Sequence, residues 1–142
     1  MTAIKEFRDD YYFLSNFHIC IVQYENIFYH NAEAAFQSAK LLNKKDRYQF
    51  TFLAPCEAKA LGRQVLLRKD WEKIKYKVMY DIVKDKFTRN IKLKYKLIDT
   101  NNAQLIEGNT WGDTYWGVYK GKGLNMLGNI LMGVRAELIT SE

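Results

Sequence analysis

The clearest pattern of hydrophobic and polar positions lies between residues 70 and 90. Apolar side chains recur there at intervals of three and four, with lysines on the opposite face: Trp71, Ile74, Val78, Met79, Ile82, Val83 and Phe87. This spacing predicts a long amphipathic helix that Asp70 caps and Asn90 closes. The same period in residues 125–139 predicts a last helix, with inward-facing Leu127, Ile130, Leu131, Val134 and Leu138.

Shorter helices are predicted from their capping residues. Asn31 is a suitable N-cap for a helix that runs to about residue 44. Pro55 suits the first turn of a short helix and Gly62 suits its end. A further helix is expected near residues 91–99.

The first 30 residues are expected to form short strands. Residues 18–24 and 27–29 are rich in β-branched and aromatic side chains, and Glu25-Asn26 between them suits a hairpin turn. Residues 100–124 are polar, Gly-rich and aromatic, which predicts a loop with short strands. The predicted fold class is mainly α, formally α+β with a minor N-terminal β element, in a single domain over residues 1–142.

Composition narrows the class of protein. A hydrophobic content of 48% in 142 residues supports a buried core and excludes intrinsic disorder. Aromatic residues make up 15%, so some of them could stack on a planar ring such as a nucleobase. Cys20 and Cys56 are expected to be buried thiols in a reducing compartment. No segment resembles a signal peptide or a transmembrane run, which predicts a cytoplasmic location and no membrane partner.

The net charge of +6 is unevenly distributed. Residues 40–96 contain 17 of the 22 basic residues and six of the 16 acidic ones, so this segment carries +11 and the remainder −5. Such an asymmetry favours an anionic partner, either a phosphate ester or a nucleic-acid backbone. The alternative is that the lysines only solubilise exposed helix faces.

Common cofactor and catalytic motifs do not occur in the sequence. There is no Walker loop, dinucleotide fingerprint, paired CxxC or HExxH motif. His18 and His30 lack the neighbours that a metal site needs. We therefore expect no metal, no organic cofactor and no Ser-His-Asp hydrolase.

Three clusters of chemically capable residues remain. The spacing of Glu33, Gln37 and Lys40 places a carboxylate, an amide and an amine on one helical face. The second cluster contains Arg63, Arg68, Asp70 and Trp71, and the third contains Asp113, Trp116 and Asn125.

Single members of these clusters also have ordinary structural interpretations. Glu33 would stabilise the first turn of a helix through the helix dipole. By pattern alone, Trp71 is more often a core residue, and Lys40 is a typical solvated helix lysine. Asp113 in a glycine-bounded segment is a common turn former. Spacing alone does not decide between these interpretations and catalysis.

Seven ordered motifs extend over most of the chain. They are Tyr12 to Phe17, Ala32 to Lys40, Gly62-Arg63, Asp70-Trp71-Glu72 with Met79, Lys86-Phe87 with Asn90, Asp113 to Gly117, and Gly123 to Gly128 with Leu131-Met132 and Val134-Arg135. In this order they resemble the NADAR domain family over roughly residues 6–139. That family includes an N-glycosidase of early riboflavin intermediates and ADP-ribosyl-guanosine glycohydrolases paired with DNA-modifying toxins.

The resemblance implies a catalytic set of Glu33, Trp71 and Asp113, with Lys40 implicated in a ring-opened, imine-type intermediate of the ADP-ribosyl branch. We expect substrate contacts from the following residues: Asn16, Phe17, Gln37, Arg63, Arg68, Trp116 and Asn125. Asn31 and Trp111-Gly112 depart from the family pattern at the flanks of this site, which leaves substrate preference open.

The implied activity is hydrolysis of the N-glycosidic bond between a ribose and a base. ADP-ribosylated guanine in nucleic acid is the first expected substrate, and a phosphorylated ribosylaminopyrimidine from riboflavin synthesis is the alternative. A non-catalytic module that binds nucleic acid or ADP-ribose is the competing class. A small free-standing chain fits an antitoxin or phage context, and the sequence leaves the oligomeric state open.

Overall fold

The computed structural model describes residues 2–141. The helices are α1 (Ala32–Ser38), α2 (Pro55–Gly62), α3 (Trp71–Arg89), α4 (Ile91–Ile98) and α5 (Met126–Thr140), with two 3₁₀ helices at Asp9–Leu14 and Lys44–Phe50. The strands are β1 (Ala3–Ile4), β2 (Ile19–Tyr24), β3 (Ile27–Asn31), β4 (Gln104–Leu105), β5 (Gly108–Asn109) and β6 (Val118–Tyr119). Among the helices in this part of the chain, none has the length and apolarity needed to cross a bilayer.

The mainly helical fold class is confirmed, and so are most of the individual elements. Helices α2, α3, α4 and α5 lie where capping residues and periodicity place them. Strands β2 and β3 form the predicted antiparallel hairpin, and Glu25 and Asn26 at its turn have φ of 47° and 71°. Two consecutive positive φ values are typical of the tight hairpin turns that match strand twist.

Two local predictions are wrong. Helix α1 ends at Ser38 instead of near residue 44, and a second capping residue, Asn43, begins a separate 3₁₀ helix by accepting from the N–H of Lys45 at 2.9 Å. Residues 9–14, expected to be extended, form the other 3₁₀ helix. Such short helices have no apolar period of their own, so a periodicity argument does not detect them.

The chain divides into two compact units. The first, Asn16–Asn90, is called the central unit here, and the second, the flanking unit, takes the chain up to Ser15 and again from Ile91. The prediction of one domain over residues 1–142 stays a prediction.

Helix α1 lies at the centre of the central unit. Every residue from Ala32 to Ser38 is buried, because α1 packs against α2, α3, the β2–β3 hairpin and the 3₁₀ helix Lys44–Phe50. In β3 the buried side chains alternate with exposed ones, as a strand with one covered face requires. A helix with polar residues that is buried on all sides places those residues inside the protein.

Helix α3 covers the hairpin and departs from its predicted pattern at one position. Its apolar face is buried as predicted except for Ile74, which is half-buried, but Lys86 also points inward and is only 1% exposed. Its ammonium lies 5.0 Å from the centroid of the Phe87 ring. Burial lowers the pKa of Lys86 to about 8. A pattern that counts every lysine as solvent-facing misplaces this residue.

The flanking unit is built from short parallel strand pairs and two helices. Strand β1 pairs with β4 and β5 pairs with β6, while α5 packs against β4 and α4. Asn125, at φ 53°, precedes α5 and bonds two backbone groups: its Nδ2 donates to the Leu105 carbonyl at 2.9 Å, and its Oδ1 accepts from the Glu107 N–H at 2.9 Å. This amide fixes the start of α5 against the loop after β4.

The two cysteines differ in exposure. Cys20 is half-buried and burial raises the pKa of its thiol, whereas Cys56 is exposed. The expectation of two buried thiols is therefore wrong for Cys56, which is the second residue of α2, a short helix with only one covered face.

Replacing Asn31 by alanine is expected to lower the free energy of unfolding by about 2 to 3 kcal/mol. Asn31 is fully buried, its Oδ1 accepts from the Ala34 N–H at 2.7 Å, and its Nδ2 donates to the Leu53 carbonyl at 3.0 Å. The change removes a helix cap and leaves a carbonyl without a donor. Urea denaturation measures the effect, and Asn43→Ala, which removes an exposed cap, is the matched control with an expected loss of about 1 kcal/mol or less. Equal losses of unfolding free energy in the two variants would contradict the role of Asn31 as a buried residue that both caps α1 and binds the Leu53 carbonyl.

Candidate active site

Helix α1 carries two of the predicted site residues on one face. Gln37 Nε2 donates a hydrogen bond of 2.7 Å to Glu33 Oε2, as the spacing of four residues predicts. Glu33 is 8% exposed, and its backbone N–H donates to the Asn16 carbonyl at 3.1 Å. The carboxylate is therefore buried, oriented by an amide, and located in the first turn of a helix, where the dipole stabilises negative charge.

The remaining side-chain atom of Gln37, Oε1, is buried and has no hydrogen-bond partner within the described residues. A buried acceptor without a donor is rare in folded proteins and costs about 1 to 3 kcal/mol. Turning the amide over would point an oxygen at the ionised carboxylate, which only accepts hydrogen bonds. The unpartnered Oε1 is thus a consequence of holding Glu33.

Lys40 lies just beyond α1 and is half-buried. Its Nζ donates to the carbonyl of Gly62, the last residue of α2, at 3.3 Å. Burial lowers the pKa of the Lys40 ammonium, the nearby Glu33 carboxylate opposes this effect, and the Arg63 guanidinium adds to it. A lysine with a lowered pKa contains more of the neutral, nucleophilic amine near neutral pH than an ordinary lysine does.

Trp71 packs against the helix that carries the carboxylate. It is the first residue of α3, is 5% exposed, and its ring centroid lies 5.1 Å from that of Phe36 with the planes inclined by 56°. Phe36 belongs to α1, between Glu33 and Lys40 in the sequence. Trp71 is therefore a core residue of the central unit, and its contact with a substrate stays a prediction.

Arg68 links Lys40 to Trp71. Its N–H donates to the Lys40 carbonyl at 3.0 Å, and its carbonyl accepts from the Trp71 N–H at 3.3 Å. Its guanidinium donates to both carboxylate oxygens of Asp70, at 2.7 Å and 3.1 Å, and to the Ala39 carbonyl at 3.4 Å. Arg68 therefore holds the backbone of Trp71 near the backbone of Lys40. Most of the N–H donors of the Arg68 guanidinium already form hydrogen bonds within the protein.

Arg63 is in the opposite situation. It follows α2 directly, is exposed, and lies close enough to Lys40 to influence its ionisation. Its side chain forms no hydrogen bond or ion pair with the described residues. Of the two arginines expected to contact the substrate, Arg63 is the one with a guanidinium available for an anionic group.

Asn16 and Phe17 precede β2, and the Asn16 carbonyl accepts from the Glu33 N–H. Asn16 is 7% exposed and its Nδ2 donates to Met79 Sδ at 3.3 Å, so its amide is directed into the core. The Phe17 ring is half-buried and lies 5.8 Å from Lys59 Nζ. Substrate contact by either residue stays a prediction.

Asp113 shapes a turn in the flanking unit. Its Oδ1 accepts from the N–H groups of Tyr115 and Trp116 at 3.0 Å and 2.9 Å, which is the turn-forming role expected of such an aspartate. Asn109 braces the same turn, because its Oδ1 accepts from the Asp113 N–H and its Nδ2 donates to the Asp113 carbonyl. The Asp113 carboxylate is thereby held in one orientation and remains half-exposed.

The other two expected contact residues of the flanking unit have structural tasks. Trp116 is half-buried, and its ring packs edge to face against Tyr115 with centroids 4.7 Å apart. Both ends of the Asn125 amide bond backbone groups of the loop after β4. Their contact with a substrate, and the convergence of Asp113 with Glu33, stay predictions.

Three residues support the predicted site residues in ways that the sequence does not predict. Asn109 braces Asp113, Phe36 supports Trp71, and Gly62 accepts from Lys40. An asparagine four residues before an aspartate is too common to be a signal, and Gly62 was interpreted only as a helix end. Phe36 acts on a residue that is distant in sequence, and Gly62 acts through its backbone carbonyl.

The central unit therefore combines a buried carboxylate, an amide and an amine of lowered pKa. Within residues 2–141, His, Cys, Asp and Glu side chains form no group of three or more that could hold a metal ion. The carboxylate can stabilise positive charge or accept a proton from water, and the amine can attack an electrophilic carbon. Both functions are those that cleavage at an anomeric carbon uses.

Comparison with known proteins connects this geometry to a family. The family model described as NADAR domain matches residues 4–139. The NMR structure of the Escherichia coli protein YbiA superimposes with a TM-score of 0.87 and 34% sequence identity, over 99% of this chain and 86% of that one. The similarity extends through both units of the chain.

Curated relatives have two kinds of name. N-glycosidase YbiA from Escherichia coli is 36% identical over 134 residues, covering 92% of this chain and 83% of the relative. An N-glycosidase from Nostoc punctiforme is 33% identical over 131 residues, covering 87% and 83%. The chloroplastic riboflavin biosynthesis protein PYRR from Arabidopsis thaliana is 38% identical over 96 residues, covering 63% of this chain and 16% of that protein.

Proposed function

The chain belongs to the NADAR domain family, and from this premise we propose that it hydrolyses the N-glycosidic bond between a ribose and a base. The observation that carries the proposal is the arrangement of buried Glu33 and Gln37 with half-buried Lys40 in the central unit. Relatives named N-glycosidase support the same reaction.

Glu33 serves as the carboxylate of the reaction. Cleavage of an N-glycosidic bond develops positive charge at the anomeric carbon, and a nearby carboxylate stabilises that charge or activates the attacking water. The Gln37 amide and the start of α1 keep Glu33 in one orientation. Burial excludes water from the carboxylate, which strengthens its interaction with a cationic transition state.

Lys40 offers a second route to the same product. If the ribose ring opens, the amine adds to C1, and the C1–N bond to the base breaks as the base leaves with a proton on its nitrogen, which forms an imine. Water then hydrolyses the imine and releases the sugar with a free C1 aldehyde and the regenerated amine. Lys40 is suited to this step because burial, together with the nearby Arg63 guanidinium, lowers the pKa of its ammonium against the opposing effect of Glu33. Asp113, carried over from the family motif, is the other carboxylate assigned to the site.

ADP-ribosylated guanine in nucleic acid is the substrate that we propose first. The segment 40–96 carries +11, and a substrate with a diphosphate and a nucleic-acid backbone gains most from such a charge. Arg63 supports this choice because its guanidinium is exposed, lies close enough to Lys40 to lower the pKa of that residue, and has the geometry that binds a phosphate through two hydrogen bonds. A toxin that modifies DNA with ADP-ribose would be the functional partner of such an enzyme.

A phosphorylated ribosylaminopyrimidine is the second candidate substrate. The match to the riboflavin biosynthesis protein PYRR supports it, because that relative is named for the pathway in which such compounds occur. Both candidates contain a ribose joined to a nitrogen heterocycle and at least one phosphate. The two compounds differ in size and charge, so assays of both with the same purified protein can show which one it prefers.

The direct test is incubation of the purified protein with each substrate and mass detection of the products, which are free ADP-ribose with unmodified nucleic acid for the first candidate and the free aminopyrimidine for the second. We expect the ADP-ribosylated nucleic acid to be cleaved with a higher kcat/KM than the ribosylaminopyrimidine phosphate. Faster turnover of the ribosylaminopyrimidine phosphate would select the second candidate. Binding of either compound without any released product would instead identify a non-catalytic binding module.

Replacing Arg63 by alanine is expected to raise KM about tenfold and to weaken its dependence on salt, because a hydrogen bond from an exposed guanidinium to phosphate is lost. Steady-state kinetics at two ionic strengths measures both effects. Lys69→Ala is the matched control, since Lys69 is also exposed in the loop before α3. An unchanged KM in Arg63→Ala would identify the basic segment as a solvated surface only.

A further inference from the structure

Gln37 and Gly62 fit together at the contact between α1 and α2. Gln37 is 6% exposed and uses its Nε2 on Glu33, while its Oε1 lies against Gly62 without a donor. A side chain at position 62 would place its Cβ 1.9 Å from Gln37 Oε1 and 2.6 Å from Gln37 Cδ. Real Cβ atoms do not approach other atoms so closely, so any other residue would displace the amide.

The requirement for glycine at position 62 is one of space. Gly62 lies within α2, and its φ is not in the left-handed region that favours glycine. Its carbonyl also accepts the hydrogen bond from Lys40 Nζ. One residue without a side chain therefore accommodates the amide that holds Glu33 and orients the amine of Lys40.

We propose that Gln37 is a positioning residue that fixes the Glu33 carboxylate, and that Gly62 is required because it leaves room for the Gln37 amide. The proposal rests on the N-glycosidase role of Glu33 proposed above. It gives Gln37 a task other than direct substrate contact, since its donor is engaged and its acceptor is covered by Gly62. Two residues that touch no substrate then determine how well the carboxylate works.

The first test measures the ionisation of the Glu33 carboxyl and does not depend on enzymatic activity. The side-chain carboxyl of Glu33 is titrated by NMR in the wild type, in Gln37→Met and in Gly62→Ala. A hydrogen bond to the ionised carboxylate favours that form, so its loss should move the titration midpoint of Glu33 to higher pH in both variants. Lys40 and Arg63, the basic groups at this corner, are unchanged in these variants.

The second test measures kcat and KM of the proposed reaction. Gln37→Met is expected to lower kcat by about 10- to 100-fold with little change in KM, because an oriented carboxylate matters most in the transition state. Gln64→Met is the matched control, since Gln64 is exposed just after α2, and it should retain wild-type kcat and the wild-type Glu33 midpoint. Thermal unfolding of each variant establishes that it is folded.

The third test links the two residues in a double-mutant cycle. In the Gln37→Ala background, the nearest remaining contact of a Cβ at position 62 is Gln37 Cβ at 3.1 Å, so Gly62→Ala should there add little further loss of kcat. An unchanged Glu33 midpoint in Gln37→Met would overturn the proposal, as would an equal effect of Gly62→Ala in both backgrounds. A wild-type protein that cleaves neither candidate substrate would refute the proposed function, while the Glu33 titration would still decide the positioning.

Discussion

Replacing Glu33 by glutamine should lower kcat by about 100- to 10,000-fold while the protein stays folded. The substitution removes the negative charge that stabilises the anomeric carbon, yet the new side chain still offers an oxygen to the Gln37 Nε2, which now donates to the carboxylate at 2.7 Å. Since the hydrogen bond within α1 survives, a large loss of activity would report the charge and not the packing. The product of cleavage, ADP-ribose or free aminopyrimidine according to the substrate, is quantified by mass spectrometry at saturating substrate to give kcat.

Glu6→Gln provides the control for the Glu33 substitution. Glu6 is exposed, and its carboxylate lies 3.8 Å from Arg8 in a surface ion pair of the kind that contributes little to stability. Its removal should leave kcat unchanged. Retention of more than about a tenth of wild-type kcat in Glu33→Gln would be too small a loss for a catalytic carboxylate.

Borohydride added during turnover should trap a sugar adduct on Lys40. Reduction converts an imine between the amine and the opened ribose into a stable secondary amine, which peptide mass mapping locates. Because burial lowers the pKa of Lys40, the neutral amine, and with it trapping, should be available at lower pH than for an ordinary lysine. Lys40→Arg should abolish both trapping and turnover, since arginine keeps the charge but is a poor nucleophile.

Lys45→Arg is the control for the trapping experiment, because Lys45 is an exposed lysine of the neighbouring 3₁₀ helix. Its replacement should change neither the adduct nor the rate. Full turnover by Lys40→Ala, without any adduct in the wild type, would eliminate the imine route. Glu33→Gln and Asp113→Asn would then be the most damaging changes, as direct attack by water requires.

Local signals were sufficient for most of the fold. Helix α3 has a clear apolar period, and the hairpin has a turn at Glu25-Asn26, so neighbouring residues contain the information. The predicted end of α1 near residue 44 is wrong, since the helix ends at Ser38 and Asn43 caps a separate 3₁₀ helix. Lys86 was misplaced because its burial depends on what packs around α3 and not on its own polarity.

The sequence by itself determined the Glu33–Gln37 pair, because residues four apart on a helix meet whatever the rest of the fold does. Tertiary structure alone decided what surrounds this pair. Trp71 contacts Phe36, and Gly62 contacts Gln37, although the members of each pair are far apart in the sequence. Only the folded chain brings them together. Likewise the fold brings Arg68, a candidate for phosphate by its chemistry, to the carbonyls of Ala39 and Lys40, to which its guanidinium and its N–H donate. Periodicity specifies which residues share a face, whereas packing specifies which atoms of those residues remain free.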